Sequence, residues 1–304
     1  MEQPRASLTA LGAALMRAAH TRLASLPLIN DPWGDRLVLE AERDAVLSVV
    51  LQGLSPAARK RCEGLEDAST LLDTVLPLHA GYGWAVLRTR YAEDALQMAV
   101  GRGVHQYVIV GAGFDSLALR QLAFARPVDI FEIDHAATQE LKRQRLHECG
   151  VPLPGTLHFV PADLSHEDLG AALARSAFRP TEPAFFSWLG VTQYLTREAN
   201  LATLRSIAAC SAPGSQLVFT YLDQSELRED DASGRDRSLH MAFAAAREPW
   251  VSGFDASLLD QDLAGIGFTL LEDLDGADVK ARYCADRGDI FPMPTSHIVH
   301  AEVR

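Results

Sequence analysis

The chain has 304 residues, of which 48% are apolar and 22% charged, enough to bury a sizeable core and to exclude wholesale disorder. Its 28 Lys and Arg face 40 Asp and Glu, a formal charge of -12, which argues against nucleic acid as a partner because such binding rests on neutralised phosphates. Cys62, Cys149, Cys210 and Cys284 are scattered, so neither a zinc knuckle nor a CxxC redox pair is present. The opening ten residues hold no apolar signal core and no later run reaches membrane-spanning length, so a cytoplasmic protein without membrane association is the expectation.

The first hundred residues read mainly as helices. An Ala-rich segment around Ala13–Leu23 comes first. Asn30-Asp31-Pro32 then marks a turn, with Asp31 as a cap and Pro32 as a first helical residue, and Trp33, Leu37 and Val38 follow at helical spacing. Residues 67–98 carry further amphipathic turns, broken around Pro77 and Gly81. The expected organisation is an N-terminal helical cap over residues 1–103 and a ligand-binding domain over 104–304.

At Gln106 the character changes. Short β-rich runs appear at Gln106–Val110, Val128–Ile133, Leu157–Val160, Ala184–Trp188 and Gln216–Tyr221, separated by helical patterns at 115–122, 136–147 and 196–210. This βαβ alternation predicts an α/β fold with a mostly parallel sheet covered on both faces. Phe268–Leu271 and Ser296–Val303 supply two further strands. Residues 224–255 are polar and charged, and read either as a solvated connection or as a lid over the carboxyl ends of the strands, where open α/β sheets bind ligands.

Gly111-Ala-Gly113 directly follows the first central strand and permits a tight turn with close approach of a ligand to the backbone. A dinucleotide fingerprint wants glycine or alanine at 116. Here Ser116 stands beside Asp115, and negative charge there disfavours a pyrophosphate. A positively charged cofactor without phosphates, such as S-adenosylmethionine, suits the turn better. Asp134 ends the second strand, where an acid can accept from both ribose hydroxyls. Glu132, two residues earlier, shares its face and competes for that role. Asp163 ends the third strand, within reach of an adenine amino group. Trp188 is either an adenine-stacking ring or a core residue.

These segments resemble the leucine carboxyl methyltransferase family, especially its bacterial S-adenosylmethionine-dependent O-methyltransferases. The resemblance rests on Arg88-Thr-Arg90, Val110-Gly-Ala-Gly-Phe-Asp115 with Leu119-Arg120, Phe131-Glu-Ile-Asp-His135 with Lys142, Ala162-Asp-Leu164, and Gly190-Val-Thr-Gln-Tyr-Leu195. It implies a class I methyltransferase: a Rossmann-like, mostly parallel seven-stranded sheet with an N-terminal helical cap and an inserted lid segment at about 224–255. By position, it implies that Arg88 pairs with the carboxylate of the cofactor's methionine part, with Arg90 nearby. Gly111 and Gly113 would lie under the cofactor, Asp134 would hold the ribose, and Asp163 with Leu164 would frame the adenine. One departure is Leu189, where members often carry an acid.

The expected reaction is methyl transfer to a small-molecule acceptor, a secondary metabolite, through a carboxylate or hydroxyl oxygen, without a metal. The alternative is C- or N-methylation of an aromatic, indole-like metabolite. A nucleotide-cofactor oxidoreductase and an inactive binding protein are the readings from other classes. Where an acceptor needs a base, His240, Tyr194 and Asp223 are the candidates. A second copy of the chain, in a homo-oligomer, is the remaining candidate partner.

Overall fold

The computed structural model describes residues 7–65, 67–164, 166–227 and 249–304. Six helices come first: α1 (Leu8–Leu23), α2 (Trp33–Leu37), α3 (Glu40–Gln52), α4 (Pro56–Lys60), α5 (Ala68–Val75) and α6 (Ala80–Gly101). Their starts follow local capping chemistry. Ser7 accepts from the Ala10 amide, and Asp67 accepts from the Thr70 amide at 2.8 Å. Pro77 falls in a 3-10 turn, Leu76–Leu78, that separates α5 from α6, as the sequence break there suggests. Asp31 does act at the next turn, with Oδ1 accepting from the Trp33 amide at 3.1 Å. Pro32 is the capping residue of α2, one position before the helix proper.

The sheet follows, built from β1 (Gln106–Val110), β2 (Asp129–Asp134), β3 (Leu157–Pro161), β4 (Phe185–Trp188), β5 (Gln216–Leu222), β6 (Phe268–Leu274) and β7 (Ser296–Val303). Between the strands lie α7 (Ala136–Glu148), α8 (Leu169–Leu173), α9 (Arg197–Ala209), α10 (Leu259–Ile266) and α11 (Gly276–Tyr283). The seven strands run in the order β3-β2-β1-β4-β5-β7-β6. Strands β1 to β5 pair in parallel, and β7 is antiparallel to both of its neighbours. This is the Rossmann-like, mostly parallel sheet of class I methyltransferases, flanked by N-terminal helices.

All five residues of β1 and all seven of β5 are buried, as central strands covered on both faces require. Side chains alternate between two cores. Tyr107, Ile109 and Phe185 pack toward the N-terminal helices and α7, whereas Val108, Val110 and Phe186 pack toward α8, α9 and α10. The strand order reverses between β1 and β4, which puts a ligand crevice at their carboxyl ends.

Candidate active site

A cavity of about 640 Å³ opens at that crevice, between the carboxyl ends of β1, β4 and β5 and residues of α1, α3 and α6. Pro249, Trp250 and Val251 close one side. The volume lies in the usual range for small-molecule sites, about 300–1,000 Å³.

The base of the cavity is the turn after β1. Gly111 and Gly113 have φ of 69° and 49°, in the region that disfavours side chains. The amides of Gly111 and Ala112 both donate to the Ile133 carbonyl, at 2.9 and 3.0 Å, which straps the turn to β2. The Gly113 amide donates to Asp134 Oδ2 at 2.6 Å, and the His135 amide donates to Oδ1 at 2.7 Å. Asp134 borders the cavity and keeps further lone pairs on both oxygens.

The helix expected over 115–122 does not form. A single 3-10 turn, Leu117–Leu119, stands in its place, and Gln121 has φ 51°. Side chains hold this stretch. Asp115 Oδ1 accepts from the Leu117 amide at 2.8 Å, Arg17 of α1 donates to the Phe114 carbonyl at 2.8 Å, and Arg120 pairs with Glu93 of α6.

Arg88 of α6 borders the cavity, and its guanidinium lies directly on Gly190 after β4. A Cβ at Gly190 would sit 2.2 Å from Arg88 Nη1 and 2.5 Å from Cζ. Among the described residues no carboxylate pairs with Arg88. Burial lowers its pKa to about 10, with Tyr194 opposing and Arg17 reinforcing the shift. It is therefore charged at neutral pH and poised to take an anion. Arg90 does not border the cavity. Residues two apart on a helix point to different sides, and Arg90 bonds Asp94 at 3.0 Å and the Leu28 carbonyl at 3.0 Å.

Glu132 also lies away from the cavity. It is 1% exposed and pairs with the fully buried Lys142 of α7 at 2.6 Å. Burial pushes the carboxyl up to about 7, against the pull of the Lys142 ammonium. The pair fastens α7 to β2, on the same sheet face as Asp134 but deeper.

The other expected site residues are spread more widely. Tyr194 borders the cavity beside Gln193. Leu189 borders it too, offering apolar surface there. Trp188 is fully buried on the opposite sheet face, packed on Phe219 with ring centroids 6.4 Å apart, and is a core residue. Asp163 is exposed and Leu164 half-buried. Both lie just past β3, where the Ala162 amide donates to the Asp134 carbonyl at 2.9 Å, and neither borders the cavity. Asp223 turns back on Ser225, accepting from its amide at 2.8 Å, and does not reach the cavity. Phe254 is buried in the second core against Tyr221 and Phe219. His240, with residues 228–248 of the expected lid, lies outside the described residues.

Three bordering residues carry no sequence signal of their own. Arg17 is held by Asp31 at 2.7 Å. His79 accepts the Gly81 amide on Nδ1 at 3.1 Å, and burial lowers its pKa to about 4. It is therefore neutral at physiological pH with its proton on Nε2, a donor and not a base. Thr220 accepts the Gly190 amide at 2.7 Å. Among the described residues no group of three or more His, Cys, Asp or Glu is arranged to hold a metal ion, and no helix is long and apolar enough to cross a membrane.

The strand order, the glycine turn and the acid at the end of β2 define a class I, Rossmann-like methyltransferase. The model of the family described as leucine carboxyl methyltransferase matches residues 10–208, and the chain belongs to that family. YktD of Bacillus subtilis, whose name marks it as an inferred S-adenosyl-L-methionine-dependent methyltransferase, is 31% identical over 303 residues, 99% of each chain. A similarly named protein of Mycolicibacterium smegmatis is 33% identical over 73% of this chain and 68% of its own length. The fold is shared with a crystal structure from Thermobifida fusca, described as an inferred methyltransferase, at TM-score 0.56 and 14% identity, covering 95% of this chain and 94% of that one. The protein is an enzyme, an S-adenosylmethionine-dependent methyltransferase.

Proposed function

We propose that the cavity binds S-adenosylmethionine and that the methyl passes to an oxygen, carboxylate or hydroxyl, of a small-molecule secondary metabolite. The observation that carries the reading is Arg88, a charged side chain on the cavity wall with no carboxylate partner among the described residues, set on the segment after β4. Its chemistry fits the methionine carboxylate. Asp134 fits the ribose hydroxyls, and Gly111 and Gly113 leave room for close approach; Asp163 and Leu164, past β3 and outside the cavity lining, would frame an adenine only where it extends beyond the cavity. When bound, the cofactor supplies a methyl activated by a sulfonium centre.

The chain's task is to orient the acceptor and keep water out. Met16, Val46, Val50, Trp84 and Met293 give the cavity apolar wall for that purpose. Tyr194 and the Nε2–H of His79 are the polar groups proposed to orient the reacting oxygen. An acceptor that is already ionised, a carboxylate, needs no base, and His79, whose pKa burial lowers to about 4, would not supply one near neutral pH.

The test is a screen of aromatic and aliphatic carboxylic acids, phenols, amines and indoles with methyl-labelled cofactor. Label on oxygen is expected. Label confined to nitrogen or carbon acceptors would overturn the assignment. With an acceptor in hand, Trp250→Ala should raise its KM about tenfold, the scale of one lost apolar contact surface, and leave cofactor affinity nearly unchanged. Phe254→Ala should instead lower stability by about 3–5 kcal/mol, as for a buried aromatic removed from a core, read as a fall in the unfolding midpoint.

A further inference from the structure

We infer that Thr220 is a positioning residue for the cofactor's amino-acid end: it holds the Gly190 turn in the shape that lets Arg88 lie against it. The inference rests on the proposed role of Arg88 and extends it to a residue on a different strand.

Thr220 is 1% exposed, sits in β5 and borders the cavity. It fixes the segment after β4 at two points. Its Oγ1 accepts the Gly190 amide at 2.7 Å, and its carbonyl accepts from Thr192 Oγ1 at 2.6 Å. Gly190, at the first of these anchors, has φ 70°, a left-handed conformation. That conformation turns the bare Cα toward Arg88, where a Cβ would meet three guanidinium atoms within 2.6 Å. The same segment continues into Gln193 and Tyr194, which also border the cavity, and Tyr194 acts electrostatically on Arg88. Asn200, fully buried, closes the far end. Its Nδ2 donates to the Thr192 carbonyl at 2.9 Å and to Ser252 Oγ at 3.0 Å. The Thr220 hydroxyl is thus the anchor at Gly190 itself, where the guanidinium rests. Removing it leaves the Gly190 amide without its partner and frees the turn to relax away from the left-handed form.

Calorimetric titration of the full chain with two ligands tests this. S-adenosylhomocysteine carries the amino-acid end, and 5′-methylthioadenosine shares the nucleoside but lacks the carboxylate. Thr220→Val, which keeps the side-chain shape, should weaken S-adenosylhomocysteine roughly fivefold or more, the scale of one buried hydrogen bond, and leave 5′-methylthioadenosine unchanged. Thr220→Ser should restore the wild-type value, and Gly190→Ala should mimic the loss. Wild-type affinity in Thr220→Val, or an equal loss for both ligands, would overturn the inference, the second result pointing to a general structural role. A wild-type chain that binds neither ligand would overturn the cofactor site itself.

Discussion

Arg88→Ala should weaken S-adenosylhomocysteine binding by about 1.5–3 kcal/mol, the usual worth of a hydrogen bond to a charged group, which is roughly 10- to 150-fold. The guanidinium already bears the cost of burial in the ligand-free protein, as its lowered pKa of about 10 reports. A bound carboxylate supplies the counter-charge that no described carboxylate provides. The same substitution should leave 5′-methylthioadenosine affinity unchanged, because that ligand has no carboxylate. Arg90→Ala should change neither, since Arg90 is spent on Asp94 and Leu28. Equal losses for the two ligands would show that Arg88 supports the fold and does not recognise the carboxylate.

Lys142→Met should destabilise the fold by about 3–5 kcal/mol, the cost of stranding one member of a buried ion pair. Glu132 would then be an unpaired carboxylate that is 1% exposed. Its carboxyl already titrates upward, at about 7, because burial disfavours the charged form. The sign of the pH effect follows. A carboxyl whose folded pKa is raised holds a proton that the unfolded chain has released, so its contribution to stability declines as pH rises through the window from about 4.5 to about 7. In Lys142→Met the carboxyl loses the opposing ammonium and its pKa rises further. The penalty should be larger at about pH 8, where protonating Glu132 is harder, than at about pH 6. The double replacement Glu132→Leu with Lys142→Met should recover most of the loss, since apolar replacements of buried pairs are often neutral. Chemical denaturation at the two pH values reads all of this. A single-variant loss below about 1 kcal/mol, the range of surface pairs, would contradict it.

The strands were the most legible part of the chain. Gln106–Val110 runs as the β-rich pattern indicates, because a central strand buried on both faces leaves a near-continuous apolar run, whereas Ser296–Val303 shows the alternation of a strand with one face more deeply buried. Pattern alone failed where distant side chains decide. The stretch after Gly113 looks helical, yet Arg120 pairs with Glu93 and Arg17 takes the Phe114 carbonyl. These partners come from α6 and α1, and no local period announces them. Parity put Glu132 and Asp134 on one face and could not choose between them. The structure separates them by depth, because Lys142 claims Glu132 while Asp134 sits at the strand end. For Trp188 the structure made the choice: Ser187 borders the cavity, so by the two-residue period its neighbour faces the other way, into the core with Phe219. His79 and Thr220 were not legible, since their place at the cavity depends on how α6 and β5 pack around the glycine turn.

The central claim is that this cavity holds the cofactor, with Asp134 on the ribose. The most direct measurement is calorimetric titration of S-adenosylmethionine, in excess chelator, into the wild-type chain and Asp134→Asn. The variant keeps the side-chain shape but removes the charge that faces the Gly113 and His135 amides and the proposed ribose hydroxyls. The account predicts single-site binding without added metal in the wild type, and affinity lower by about 1.5–3 kcal/mol in the variant, the scale for a lost charged acceptor, with a modest fall in the unfolding midpoint because the amide NH2 then faces one of the two backbone donors. Binding that appears only when a divalent ion is restored, or wild-type affinity in Asp134→Asn, would contradict it.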